Sequence, residues 1–268
     1  MSSYIFGRPP IHTEVPPPRW QDHTLFPTLK DFNPVIIVYR KAVFTTDMLM
    51  QLAGVGEYVH CELYFPLQKA TYAIFIGGVM QCSTLLPLFY KAEPHHFAWH
   101  MLILNDSESV RLERWLIDMV KKECTYNMKD LVWQLTPEIV QRSYVSDLTT
   151  ENAHSPKSLF CSQAIILALR ESFSSITTKP HLKNFAKEMN SRITTPSELS
   201  GHLVKHQYMP VNTGVVPMTF WDAREEYLNH TPHGFRYDEF PGLTVDIKRW
   251  LETQQNSKIK MPIFAGCT

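Results

Sequence analysis

One segment limits what the rest of the chain can be: SLFCSQAIILALRESF, residues 158–173. At helical spacing its apolar side chains point in nearly every direction instead of along one stripe, so this helix has to be enclosed. No apolar run in the chain approaches the ~20 residues that a bilayer-spanning helix needs. The enclosure must therefore be protein, and no transmembrane segment is expected. A length of 268 residues is enough to build a core around such a helix and leave extensions at both ends.

Composition narrows the partners. Lys+Arg and Asp+Glu are equal at 26 each, so nothing draws the chain to nucleic acid or to an anionic membrane, and no nucleic-acid partner is expected. The 12 histidines turn it cationic on mild acidification. Five cysteines (61, 82, 124, 161, 267) are spread out without a CxxC pair, which argues against a disulfide framework and against a zinc site. The N-terminus lacks the basic and apolar regions of a secretory signal, so a reducing, intracellular (cytoplasmic) setting is expected. His95, His96 and His100, and the i, i+4 pair His202 and His206, have no acidic or thiol ligand to complete a metal site. They read as solvated surface histidines, and no metal or cofactor is expected. Gly77-Gly78 reads as a hairpin turn, not a phosphate loop.

Residues 1–34 hold seven prolines and should run extended. They form either a flexible tail or an arm, anchored by Tyr4, Phe6, Trp20 and Phe26, that lies along a protein partner. Residues 35–206 carry the periodic signals of one α+β domain. Strands are expected at 34–41, at 57–65, in a pair at 72–76 and 79–86 joined by Gly77-Gly78, and at 97–105. Helices are expected over FTTDMLMQLAG, from Asp106-Ser107-Glu108 to about 123, over MKDLVWQL, over 158–173 and from Thr195 to about Lys205. Residues 145–157 read as a loop. Residues 207–268 form an aromatic, proline-rich extension that packs on the domain or a partner and closes with a helix around Val245–Gln255.

Within this frame one constellation can carry chemistry. A thiol nucleophile needs a cysteine at a helix start, where the dipole favours the thiolate, an imidazole within reach and a polar group to orient it. Cys161 lies in the first turn of the enclosed helix, behind Ser158 as N-cap. In EYVHCELYF the side chains alternate, so Tyr58, His60, Glu62 and Tyr64 share one face and Val59, Cys61, Leu63 and Phe65 the other. His60 is the candidate base and Glu62 the candidate orienter, with Tyr72 and Gln81 competing for that third role. Cys61 points away from His60 and reads as core.

The string Phe160-Cys161-Ser162-Gln163-Ala164-Ile165 resembles the nucleophile helix start of the circularly permuted NlpC-type papain-like superfamily, which includes YiiX-like and poxviral members. Val59-His60-Cys61-Glu62-Leu63 resembles its His-x-Glu strand. Trp99–Leu104 followed by helix 107–123, Tyr126-Asn127, and Thr195-Pro196-Ser197-Glu198-Leu199 resemble further pieces in the same order. The turn Pro66-Leu67-Gln68-Lys69 departs from the glycine-rich turn expected after the His strand. The resemblance covers about residues 35–205. It implies a permuted papain-like α+β domain with a small antiparallel sheet packed on the nucleophile helix. It also implies a cysteine hydrolase that cleaves an amide, peptide or lipid-thioester bond through Cys161, His60 and Glu62, with the Cys161 N–H as oxyanion donor. The alternative is a non-catalytic assembly protein, such as a minor component of a virus particle, that retains the fold.

Overall fold

A computed structural model describes residues 33–42, 56–129, 156–173, 188–205 and 212–230. The Pro-rich segment before Asn33, the helices expected over FTTDMLMQLAG and Val245–Gln255, His206, and nearly all of MKDLVWQL and of the 145–157 loop lie outside the described residues.

The described chain is α+β, built on an antiparallel sheet of six strands in the order β4-β3-β2-β1-β5-β8. β1 (Asn33–Lys41) is central, with β2 (Tyr58–Phe65) on one side and β5 (Phe97–Leu104) on the other. Beyond β2 come β3 (Ala70–Ile74) and β4 (Met80–Ser83), and beyond β5 the short β8 (Asn212–Thr213). The residues of β2, β3, β4 and β5 are buried throughout, because helices cover both faces of the sheet. This is why these strands read as β-branched or aromatic runs instead of strict polar/apolar alternation.

Register assigns the faces. Tyr39 opposes Cys61 and Ile37 opposes Leu63, while Leu63 opposes Tyr72 and Tyr72 opposes Cys82. Cys61, Leu63, Tyr72 and Cys82 therefore share one face with Tyr39 and, through Ile37, with His100. On this face pack α2 (Asp106–Lys121), the enclosed helix α3 (Cys161–Ser172) and α4 (Pro196–Lys205). His60, Glu62, Tyr64, Thr71 and Gln81 lie on the other face, against α1 (Leu86–Ala92) and the start of α5 (Phe220–His230). There Tyr64 Oη donates to the Met218 carbonyl at 2.5 Å.

Local chemistry fixes the ends of these elements. Asn105 caps α2, accepting from Glu108 N–H at 2.9 Å while Glu108 accepts from Asn105 N–H at 3.0 Å, a capping box that starts the helix at Asp106 as expected. Thr195 and Glu198 do the same for α4. The glycine pair does turn the β3–β4 hairpin. The loop is longer than the two glycines, spanning Phe75 to Val79, with Gly77 at φ +71° and Gly78 N–H bonded to the Phe75 carbonyl. In the β2–β3 turn Lys69 takes φ +52°, the left-handed position that a glycine-rich turn would fill with glycine. α2 and α3 are tied by Arg111, which donates to the Ser172 carbonyl at 2.8 and 3.1 Å, and by Ser172 Oγ, which donates to the Glu108 carbonyl at 2.8 Å.

Two expectations are corrected. His100 is not solvated: it is fully buried beneath α4, with Nε2 3.0 Å from Ser200 Oγ and its ring edge-on to Tyr39. Tyr58 does not share the His60 face. The pairing slips between Arg40↔His60 and Lys41↔Tyr58, a bulge that inserts one residue in β2. A one-residue slip turns a side chain to the opposite face, so Tyr58 lies with its ring 5.2 Å from that of Tyr39.

Among the described residues no helix is long and apolar enough to cross a membrane, and no group of three or more His, Cys, Asp or Glu side chains could hold a metal ion. The segment 212–230, part of the expected C-terminal extension, supplies the sheet's edge strand β8 and helix α5.

Candidate active site

Cys161 and His60 come from opposite faces of the sheet, and one feature of strand pairing lets them meet. The β2–β3 ladder runs only over Leu63↔Tyr72, Tyr64↔Thr71 and Phe65↔Ala70. Over residues 60–62 the outer edge of β2 is therefore not paired with β3, and the N-terminus of α3 occupies that place. From this edge the Cys161 sulfur reaches the backbone N–H of Cys61, the Cys61 thiol on one face and the His60 imidazole on the other. An unpaired strand edge offers its N–H groups to whatever fills it.

The approach to Cys161 is held by short strands. β6 (Thr125–Tyr126) pairs in parallel with β7 (Ser158–Leu159), immediately before α3. Tyr126 N–H bonds the Gly78 carbonyl and Asn127 N–H bonds the Leu159 carbonyl. The glycine hairpin, the Tyr126-Asn127 element and the entry to α3 are thus one hydrogen-bonded unit. Phe75, on the same hairpin loop, stacks on the His60 ring with centroids 4.8 Å apart and planes 20° apart.

Cys161 is the first residue of α3, and its N-cap is not Ser158 as the sequence suggested but Phe160, which is extended and has no polar side chain. Gln163 turns back to accept from Phe160 N–H at 3.3 Å. The N-cap side chain makes no capping hydrogen bond, so the positive end of the helix dipole lies beside the sulfur.

Electrostatics at the site follow from these contacts. The Cys61 thiol, donating to Cys161, holds the Cys161 thiol well below the usual range; His60 adds to this, and together they outweigh burial, which acts the other way. For His60, burial alone would lower the pKa, but hydrogen bonding to Cys161 and the charges of Cys161 and Glu62 push it up to about 9. Both shifts favour a thiolate–imidazolium pair. Burial pushes the Cys61 thiol up, so it stays protonated and able to donate. Both members of the pair keep slight exposure, 5% for Cys161 and 7% for His60.

Of the three candidates for the orienting role, Glu62 is beside the imidazole, with Oε2 3.7 Å from His60 Nε2. That is an ion-pair separation, longer than a hydrogen bond, and among the described residues neither atom has a hydrogen-bond partner. Gln81 is on the same face but opposite Ala73 on β4, with β3 between it and β2. Tyr72 is on the other face, against Cys82.

Three neighbours were not foreseen as part of the site. Tyr90 Oη donates to Glu62 Oε1 at 2.6 Å. Its proton is thereby committed, so Thr71 Oγ1, 3.1 Å away, must donate to Tyr90. Phe75 covers the imidazole. Tyr90 was missed because residues 79–86 read as strand, which hid the start of α1. Ser83 Oγ accepts from Leu85 N–H and Leu86 N–H at 3.2 and 3.3 Å, and Pro87 follows in the first turn. A serine followed by a first-turn proline is a helix-start signal that was present in the sequence.

Comparison with family models, with curated proteins and with solved structures finds no match for this chain. The chemistry of the site rests on its own geometry.

Proposed function

We propose that the chain is a cysteine hydrolase on a permuted papain-like domain of the NlpC type, with Cys161 as nucleophile, His60 as general acid and base, and Glu62 as the residue that orients His60. The observation that carries this reading is the meeting of a helix-start thiol and an imidazole, about a hundred residues apart in sequence, as a pair whose shifts favour thiolate and imidazolium. The order of the His strand, the strand–helix step, the Tyr-Asn element and the Cys helix, all joined around one edge of β2, supports the superfamily assignment.

The substrate class is an amide, peptide or thioester. The Cys161 thiolate adds to the carbonyl carbon, and the charge that develops on oxygen faces the N–H groups at the start of α3. The His60 imidazolium gives its proton to the departing amine or thiol, leaving an acyl thioester on Cys161. Neutral His60 then takes a proton from water, hydroxide attacks the thioester, and the acid leaves with the thiolate–imidazolium pair restored. Glu62, anchored by Tyr90, keeps the imidazole turned toward the sulfur.

The test is acylation by an activated ester such as p-nitrophenyl acetate, read by intact mass and by the burst of p-nitrophenol. One acetyl group is expected on Cys161, with the burst lost in Cys161→Ser and strongly reduced in His60→Ala. Folded wild-type protein whose Cys161 acylates no faster than an ordinary exposed thiol would sink the hydrolase and favour the assembly protein.

A further inference from the structure

The proposed hydrolase uses one of two sulfurs that meet at the β2 edge. Cys61 is almost wholly buried on a central strand, and its thiol is directed to Cys161. The two residues also line one small void of about 10 Å³, shared with Leu63, Tyr72, Leu116 and Ala164 among others. A void of that size holds roughly one water, which leaves room beside these two residues for a modest rotation of the Cys61 side chain. Cys82 and Cys124 are also buried, but neither is among the groups that act on Cys161.

We infer that Cys61 is a resolving thiol for Cys161, and that a small hydroperoxide converts the pair to a reversible intramolecular disulfide that shuts the nucleophile off. The Cys161 thiolate attacks the peroxide O–O bond and becomes a sulfenic acid, and the departing alkoxide or hydroxide takes the proton of His60. The Cys61 thiol then attacks the sulfenyl sulfur. An S–S bond forms, the S–O bond breaks, and the Cys61 proton leaves with the hydroxyl as water. Each sulfur gives up one electron and the peroxide bond accepts both. Without a neighbouring thiol, the sulfenic acid at Cys161 would stay open to further, irreversible oxidation.

This inference shares the reactive thiolate with the proposed hydrolase but not its substrate chemistry, so its readout is independent of hydrolysis. Full-length protein is treated with hydrogen peroxide near neutral pH, alkylated without reductant and mapped by mass spectrometry. A loss of two hydrogens per chain is expected, with the Cys61 and Cys161 peptides linked and Cys82, Cys124 and Cys267 still alkylated. Dithiothreitol should restore alkylation of Cys161. In Cys61→Ser the same dose should leave sulfenic and then sulfinic acid on Cys161, trapped by dimedone at the first stage and lost to dithiothreitol at the second. Should Cys61→Ser fold poorly, Cys61→Ala serves in its place, and the wild-type map decides regardless. A wild-type map with oxygen added to Cys161 and Cys61 still alkylated, or with Cys161 linked to another cysteine, overturns the inference. A linked Cys61–Cys161 pair in a protein that never acylates would retain it and remove the hydrolase.

Discussion

His60 and His100 are both buried histidines, on the two strands that flank β1, yet their surroundings differ in kind. His100 pairs with Ile37 of β1, lies one residue past the Ala98–Trp99 pairing with β8, and its recorded side-chain partner is the neutral hydroxyl of Ser200. His60 lies where β2 has lost its outer neighbour, with a thiol on one side and a carboxylate on the other. A hydroxyl holds an imidazole in place by a neutral hydrogen bond, whereas a thiol and a carboxylate can share its charge and its proton. The difference teaches that the chemistry of the groups facing the ring, not burial, separates a candidate catalytic histidine from a packing one.

The strongest way to break this comparison is to remove each imidazole in turn. His60→Ala should slow alkylation of Cys161 by iodoacetamide at pH 6 by roughly 10²-fold or more, the scale expected when a positioned base is lost. His100→Ala should leave that rate within a few-fold and instead lower stability by about 1–3 kcal/mol, since it strands buried Ser200 without its partner. Denaturant unfolding measures the second effect. Equal rate losses in the two variants would show that the thiol and carboxylate facing His60 confer nothing special.

The pH profile sharpens the contrast further. The folded pKa of His60 is raised from 6.5 to about 9, so its contribution to stability is full below 6.5 and is lost as pH rises through about 9. Cys161 is lowered, so its contribution is present above the ordinary thiol range and is lost as pH falls through its folded value. Between about 6.5 and 9 the ion pair holds one proton in the folded chain and its two groups hold about one in the unfolded chain, so stability should vary little there. Acyl transfer in wild type should show a basic limb near pH 9, where His60 loses its proton. In His60→Ala the acid limb for thiol alkylation should move up toward the ordinary cysteine range, about 8.5.

Glu62→Gln should act less strongly. It keeps the shape and a partner for Tyr90 but removes the charge 3.7 Å from Nε2. Acylation at pH 7 should fall about 10-fold, because a misaligned base loses only part of what a missing base loses. The basic limb should also move below 9, since one of the two groups that raise His60 is gone. An unchanged basic limb would return the third role to Gln81, on the same face of the sheet.

Much of this region was legible in the chain. The enclosed helix, the His60–Glu62 alternation, the Asp106 helix start and the glycine hairpin all carry local signals, and each stands where its periodicity put it. Three features were not legible. The bulge that moves Tyr58 is set by pairing with Lys41, which no local pattern around 57–65 announces. The end of the β2–β3 ladder at Leu63 is a property of two strands, so the contact of Cys61 with Cys161 was invisible to an argument that saw only which way each side chain leaves its own strand. Burial of His100 depends on Ser200, a hundred residues later, arriving on α4. These three are tertiary and the signals that held lie within one turn or one strand, while the N-cap of α3 and the start of α1 were local signals misread.

Tyr90→Phe should have the smallest effect on the thiol, and its size tests whether influence passes along the chain Thr71–Tyr90–Glu62–His60. The substitution removes one O–H and keeps the ring that packs edge-on against Tyr64 and Phe97, with centroids 5.8 and 5.1 Å away. What is lost is the 2.6 Å hydrogen bond to Glu62, worth about 1.5–3 kcal/mol of stability for a bond to a charged group. Tyr90 reaches the sulfur only through Glu62 and then His60, so acylation should fall by roughly 2- to 3-fold, less than for Glu62→Gln. Residues that act in series do not add, so Tyr90→Phe combined with Glu62→Gln should be no slower than Glu62→Gln alone. A Tyr90→Phe loss as large as that of His60→Ala, or a double variant slower than both singles, would place Tyr90 in direct contact with the reacting groups and extend the reactive edge of β2 onto α1.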